Sequence, residues 1–159
     1  MKVKSVLFLL LFVFLYTSSA FGQQKVTWKE LSTAYRKEIY PNKNEDKKST
    51  VVYLPNQSDN EKAISLKDIV GKKVTVRGYF LDLGADAMWY MLSRCPFENC
   101  FFCTGVGPET VIELGQFQNT KSKFKTDDIV TVTGTLYLIK EDDEYFYILE
   151  NCTVTLTES

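Results

Sequence analysis

Val74-Thr75-Val76-Arg77-Gly78-Tyr79-Phe80-Leu81 and Val130-Thr131-Val132-Thr133-Gly134 decide the fold of this chain. Both segments are rich in β-branched residues and carry a glycine at the same place, which reads as a strand with room for a bend or close approach. Val74 and Val130 are offset by 56 residues. The partner segments echo as well, because Tyr90-x-Leu92-x-x-Cys95 is answered by Tyr147-x-Leu149-x-x-Cys152 at an offset of 57. Each glycine-bearing strand therefore opens a hairpin. The first turns through Leu83-Gly84-Ala85-Asp86 into Met88-Trp89-Tyr90-Met91-Leu92. The second runs from Ile129 to Ile139, turns at Glu141-Asp142-Asp143-Glu144 and returns from Tyr145 to Leu156. Two hairpins meeting one packing demand explain the echo without gene duplication.

A single strand, Thr110-Val111-Ile112-Glu113-Leu114, lies between the hairpins, followed by a polar connection from Gly115 to Asp127 with room for a short helix. Hairpin, single strand, longer insertion and second hairpin are the order of a five-stranded Greek-key barrel of the OB type. The fold expected is mainly β: an OB-like barrel over residues 64–159 with an N-terminal helical extension over residues 23–63. In that extension, Thr27-Trp28-Lys29-Glu30 has the capping-box form, and Trp28, Leu31, Tyr35 and Ile39 recur on one helical face. Pro41 ends the helix. The polar residues 42–50 lead to Val51-Val52-Tyr53-Leu54-Pro55, a strand whose proline fits an edge. Ile64 to Gly71 reads as one helical turn closed by glycine. Helix and Val51 strand are expected to pack outside the barrel.

The first 22 residues have another character. Met1-Lys2-Val3-Lys4, the apolar run Val6 to Tyr16 and the small residues before Gln23 follow the order of a secretory signal peptide, with cleavage after Gly22. The apolar run is shorter than the roughly 20 residues a spanning helix needs. The expectation is a periplasmic or secreted protein without a membrane span. Removing Lys2 and Lys4 from the 19 basic residues leaves 17 against 20 acidic ones, a formal charge of −3. A mildly acidic surface argues against nucleic-acid partners, which need basic patches. The chain has no histidine, which removes the usual general base and the commonest metal ligand. Hydrolase chemistry built on a Ser-His or Cys-His pair is therefore not expected, and the balance favours a non-enzymatic role.

Chemistry-bearing residues concentrate between the second and third barrel strands, in Arg94-Cys95-Pro96-Phe97-Glu98-Asn99-Cys100-Phe101-Phe102-Cys103-Thr104-Gly105-Val106-Gly107-Pro108-Glu109. Four readings of this loop stay open. In the first, Cys100 and Cys103 are thiolates on a soft metal ion, zinc or copper(I), completed by Glu109 or Glu113, or by Cys95 and Cys152. In the second, a structural disulfide joins Cys100 to Cys103 or Cys95 to Cys152, as exported domains permit. In the third, the Cys-x-x-Cys pair is a thiol-disulfide redox site, although the βαβ context usual for such pairs is missing. In the fourth, Phe97, Phe101 and Phe102 form a contact surface for a protein or small ligand.

The segment Leu92-Ser93-Arg94-x-Pro96-Phe97-x-x-Cys100-Phe101-Phe102-Cys103-x-Gly105-x-Gly107-Pro108-Glu109 resembles a family of small exported domains of unknown function from Bacteroidota. The resemblance covers the barrel portion, about Ile64 to Thr155, and implies an exported OB-like domain. This chain departs from the family pattern at Cys95, where an aromatic residue is usual, and at Cys152, where cysteine is unusual. A four-cysteine metal site is therefore not something the resemblance implies.

Other stretches have plainer readings. Trp89, Tyr90, Tyr145, Phe146 and Tyr147 alternate as core aromatics rather than as a stacking platform. Glu141 to Glu144 is a solvated hairpin tip, and Lys121 to Lys125 an outer face. The function expected is an exported binding or accessory protein that holds a metal ion through its Cys-x-x-Cys loop. The alternatives are a periplasmic thiol-disulfide redox protein, or a disulfide-stapled domain that binds a protein or carbohydrate partner.

Overall fold

The computed structural model describes residues 23–41, 64–84, 89–99, 107–120 and 123–157. The residues read as a signal peptide, the Val51 strand, and Cys100 and Cys103 lie outside them. Six strands form one sheet: β1 (Gln24–Lys25), β2 (Lys73–Asp82), β3 (Tyr90–Ser93), β4 (Val111–Leu114), β5 (Ile129–Glu141) and β6 (Glu144–Leu156). Their order is β1-β2-β3-β4-β6-β5, and an added β2–β5 pairing closes β2 to β6 into a barrel. β4 and β6 run parallel and the other barrel neighbours antiparallel. This is the five-stranded OB-like Greek-key barrel expected from the strand order.

The two echoing segments turn out to be partners. Val74 pairs with Gly134, Val76 with Val132 and Gly78 with Val130, so the match is symmetric about the central pair. Val74, Val76, Val130 and Val132 fill the interior, while Thr75, Arg77, Thr131 and Thr133 face outward. Each glycine makes space for a neighbour. A Cβ on Gly78 would stand 2.7 Å from the Ser93 carbonyl oxygen, and one on Gly134 would stand 2.8 Å from the Glu150 carbonyl oxygen. Around Gly134 the ladder shifts: Thr133 pairs with Thr153 and Thr135 with Glu150, so Gly134 faces both Asn151 and Cys152. Asn151 takes φ +53° there, a bulge that bends β6.

The N-terminal extension departs from expectation. Helix α1 (Trp28–Ile39) has its capping box, with the Glu30 N–H donating to Thr27 Oγ1 and the Thr27 N–H to Glu30 Oε2. It does not sit outside as an accessory, however. Val26, Trp28, Leu31, Ala34 and Tyr35 belong to one core with Val74, Leu92, Ile112, Tyr147 and Leu149. Trp28 Nε1 donates to the Arg77 carbonyl, Tyr35 OH to that of Tyr145, and Tyr147 OH to that of Leu31. The helix covers the end of the barrel where β3 finishes and β4 and β6 begin. Short apolar strands cannot close a barrel's ends by themselves, so an amphipathic helix must. β1, also unforeseen, adds to β2 in parallel and fixes where α1 starts.

Helix α2 (Leu66–Ile69) is the expected single turn. Gly71 ends it at φ +76°, its N–H donating to the Leu136 carbonyl. At the far end of the barrel, Phe117 and Phe124 pack with Phe80 and Tyr90. Phe124, expected on an outer face, is thus a plug.

Candidate functional site

The stems of the cysteine loop are built from strand ends. β3 continues past Ser93 with one more ladder bond, Arg94 N–H to the Thr110 carbonyl at 3.0 Å. The Cys95 N–H then turns to Ser93 Oγ. The Phe97 N–H donates to Asp127 Oδ1 at 2.8 Å, tying the outgoing stem to the start of β5, and the Asn99 N–H closes a short 3₁₀ turn on the Pro96 carbonyl. The returning stem is a second 3₁₀ turn, Pro108–Thr110, in which both the N–H and Oγ1 of Thr110 donate to the Gly107 carbonyl. Proline at its first position presets φ for that turn.

Glu109 sits in this returning stem at 4% exposure. Arg36 of α1 reaches it with two donors, Nε at 2.9 Å and Nη2 at 2.8 Å, both on Oε1. A Cβ on Gly107 would lie 1.9 Å from Glu109 Oε2, so a side chain there would push the carboxylate out of its place against Arg36. The buried carboxylate also adds, behind desolvation and a neighbouring tyrosine, to the forces that keep the Tyr35 and Tyr147 hydroxyls protonated well above the ordinary tyrosine range. Both hydroxyls therefore remain donors in the seam between helix and barrel.

Arg94, in the outgoing stem, is only 6% exposed. Its Nε has no hydrogen-bond partner, and no salt bridge to it is found among the described residues. Ser32, one helical turn before Arg36 on α1, is likewise buried with an unpartnered Oγ. Mid-helix serines ordinarily bond back to the preceding turn, so this hydroxyl is conspicuous.

The metal ligands proposed from sequence do not converge among the described residues. Cys100 and Cys103 fall outside them. No group of three acidic or cysteine side chains able to hold a metal ion occurs among the described residues. Glu109 is engaged by Arg36, and Glu113 is half-buried on β4. Cys95 and Cys152 are free thiols, which corrects the disulfide considered between them. The register gives the reason: Cys95 lies just beyond the Ser93–Val111 pair, whereas Cys152 lies beyond the Leu114–Leu149 pair at the other end of the same wall. Equivalent positions in two hairpins are not neighbours once the barrel closes. Cys152 instead donates its thiol to the Leu149 carbonyl, and burial, with Glu150 next to it, pushes its pKa up to about 12. That thiol is a poor metal ligand, since the thiolate is what binds.

Arg36, Arg94 and Ser32 escaped the sequence reading. A signal existed for the helix pair: Ser32 and Arg36 stand four residues apart, a polar stripe beside the apolar one.

No protein-family model matches the chain. No curated protein matches it either. The reading of function therefore rests on the barrel and on the stems of its loop.

Proposed function

We propose that this is an exported, non-enzymatic binding or accessory protein whose β3–β4 loop is the recognition element, with Cys100 and Cys103 holding a soft metal ion such as zinc or copper(I). The observation that carries this reading is the anchoring of both loop stems. The outgoing stem is tied to Asp127, and the returning stem is fixed by a buried carboxylate held by an arginine from a different element. Buried charges are rarely retained for stability alone, because desolvation offsets much of their attraction. Here they fix the points from which the loop departs. With Glu109 engaged and Cys95 and Cys152 at separate ends, the Cys-x-x-Cys pair would leave coordination positions for solvent or for a partner's donor. That arrangement suits a metal that exchanges.

The test is metal analysis with thiol titration on the chain purified under reducing conditions. One equivalent of zinc or copper(I), lost in Cys100→Ser/Cys103→Ser and kept in Cys152→Ser, is the expected result. A metal-free protein with a Cys100–Cys103 disulfide that exchanges readily with glutathione would replace this reading with a redox one. An inert disulfide without metal would sink both.

A further inference from the structure

We propose that two copies of this chain pair edge to edge through β5, antiparallel across a two-fold axis, independently of any metal in the β3–β4 loop. The pairing of β5 with β2 ends at Lys73 and Thr135. One further exchange follows, the Leu136 N–H to the Lys72 carbonyl and the Gly71 N–H to the Leu136 carbonyl. From Tyr137 to Glu141, β5 is paired with β6 alone among the described residues. Leu136 turns its backbone groups toward β2, and the period of two turns those of Leu138 and Lys140 the same way. No backbone partner for them is found there among the described residues. The other side of this arm is taken, since the Tyr35 hydroxyl of α1 donates to the Tyr145 carbonyl. A two-stranded ribbon with an open edge is marginally stable and is a template for a further strand.

Charge selects a second copy as that strand. The tip of the arm holds Glu141, Asp142, Asp143 and Glu144, all exposed, with Lys140 bound to Asp143. The foot of the open edge holds Lys72 and Lys73, also exposed. Of the carboxylates on neighbouring elements, Glu150 stands across Thr135 from Lys73. Asp68 and Glu38 are engaged at the N-terminal end of α2, by the Ser65 N–H and the Leu66 N–H. Antiparallel pairing puts the acidic tip of each arm beside the basic foot of the other. A uniformly basic strand would match the tip and oppose the foot, and an acidic one the reverse. In one register Leu138 of each copy faces Lys140 of the other, and both pairs exchange their backbone bonds. Ile139 then meets its own counterpart on the axis, while Asp142 and Asp143 come level with Leu136 and Thr135, at Lys72 and Lys73. The exposed Tyr137 gains a strand beside it. A two-fold axis makes this contact self-complementary and closed.

The test is sedimentation velocity of the purified chain from about 1 to 100 μM, a range that spans the affinity of a small interface. Reductant and EDTA are present, so neither disulfides nor a shared metal links copies. A concentration-dependent dimer is expected, with hydrogen exchange slowed at the Leu138 and Lys140 amides as it forms. Lys72→Glu/Lys73→Glu should weaken the dimer about tenfold, because the axis counts each charge contact twice. Adding Asp142→Asn/Asp143→Asn should recover part of that loss, which a folding defect would not allow; asparagine tolerates the positive φ of both turn residues. A chain monomeric throughout, a dimer whose Leu138 and Lys140 amides exchange as in the monomer, or a dimer indifferent to the lysine reversal would overturn the proposal. Slow exchange of those amides already in the monomer would assign the edge to another segment of the same chain and overturn it too. Growth to larger species would refute the closed two-fold pairing.

Discussion

Replacing Arg36 with methionine removes the guanidinium from Glu109 while keeping most of the apolar stem. The pair is asymmetric: the Arg36 side chain is 51% exposed and that of Glu109 only 6%. Removing one partner of a fully buried pair costs about 3–5 kcal/mol, whereas an exposed pair contributes about 0–1 kcal/mol. Because the group left behind is the buried one, Arg36→Met should sit toward the upper range, reduced by the water already reaching Arg36. About 2–3 kcal/mol is expected, or roughly 6–12 °C in melting temperature for a domain of this size. Glu109→Gln leaves a half-exposed arginine that water can solvate and should cost only about 1 kcal/mol. The double variant should therefore be more stable than Arg36→Met alone, with a coupling of about 1–2 kcal/mol. Urea denaturation of the four proteins measures the cycle. A loss under 0.5 kcal/mol for Arg36→Met, taken as about the noise of the method, or strict additivity in the double variant, would refute the idea that this pair fixes the returning stem.

Gly78→Ala should destabilise by about 1–3 kcal/mol, since its Cβ would meet a backbone carbonyl that cannot move aside without shifting β3; a neutral result in urea would show the strands less tightly drawn together. Thr27→Ala should cost about 1 kcal/mol by removing the α1 cap, checked by the same denaturation. A chain beginning at residue 64 should fail to fold cooperatively, because the faces of Trp28, Leu31 and Tyr35 would leave the end of the core open; a sharp thermal transition in that chain would contradict the shared core. Cys152 keeps its proton to about pH 12 when folded, whereas an ordinary cysteine thiol loses it near pH 9. Between these values the unfolded chain binds fewer protons, so Cys152 makes stability fall as pH rises from 9 toward 12. Iodoacetamide at pH 8 should leave Cys152 unmodified until denaturant is added, which mass mapping would reveal.

Much of the barrel was legible because a strand's fate is written locally. The alternation through Val74 and Val76, and again through Val130 and Val132, can be satisfied only by a surface with one wet face and one dry face. The glycines at 78 and 134 mark where neighbours approach, and each faces a valine on the other strand. The α1 cap was equally local, since Thr27 and Glu30 need only each other. What failed were inferences about distance. Cys95 and Cys152 occupy matching places in two hairpins, yet closure of the barrel carries them to different ends of a wall.

The sequence by itself determined the five barrel strands, their hairpin order, the capped helix and the stretch that forms the loop, because these follow from periodicity, turn chemistry and neighbours a few residues apart. Only the tertiary structure decided that α1 closes the barrel, that Arg36 takes Glu109 and that Arg94 is buried with its Nε unpartnered. Burial and charge pairing depend on which segments meet after the sheet curls, and residues 73 positions apart, such as Arg36 and Glu109, carry no local mark of that meeting.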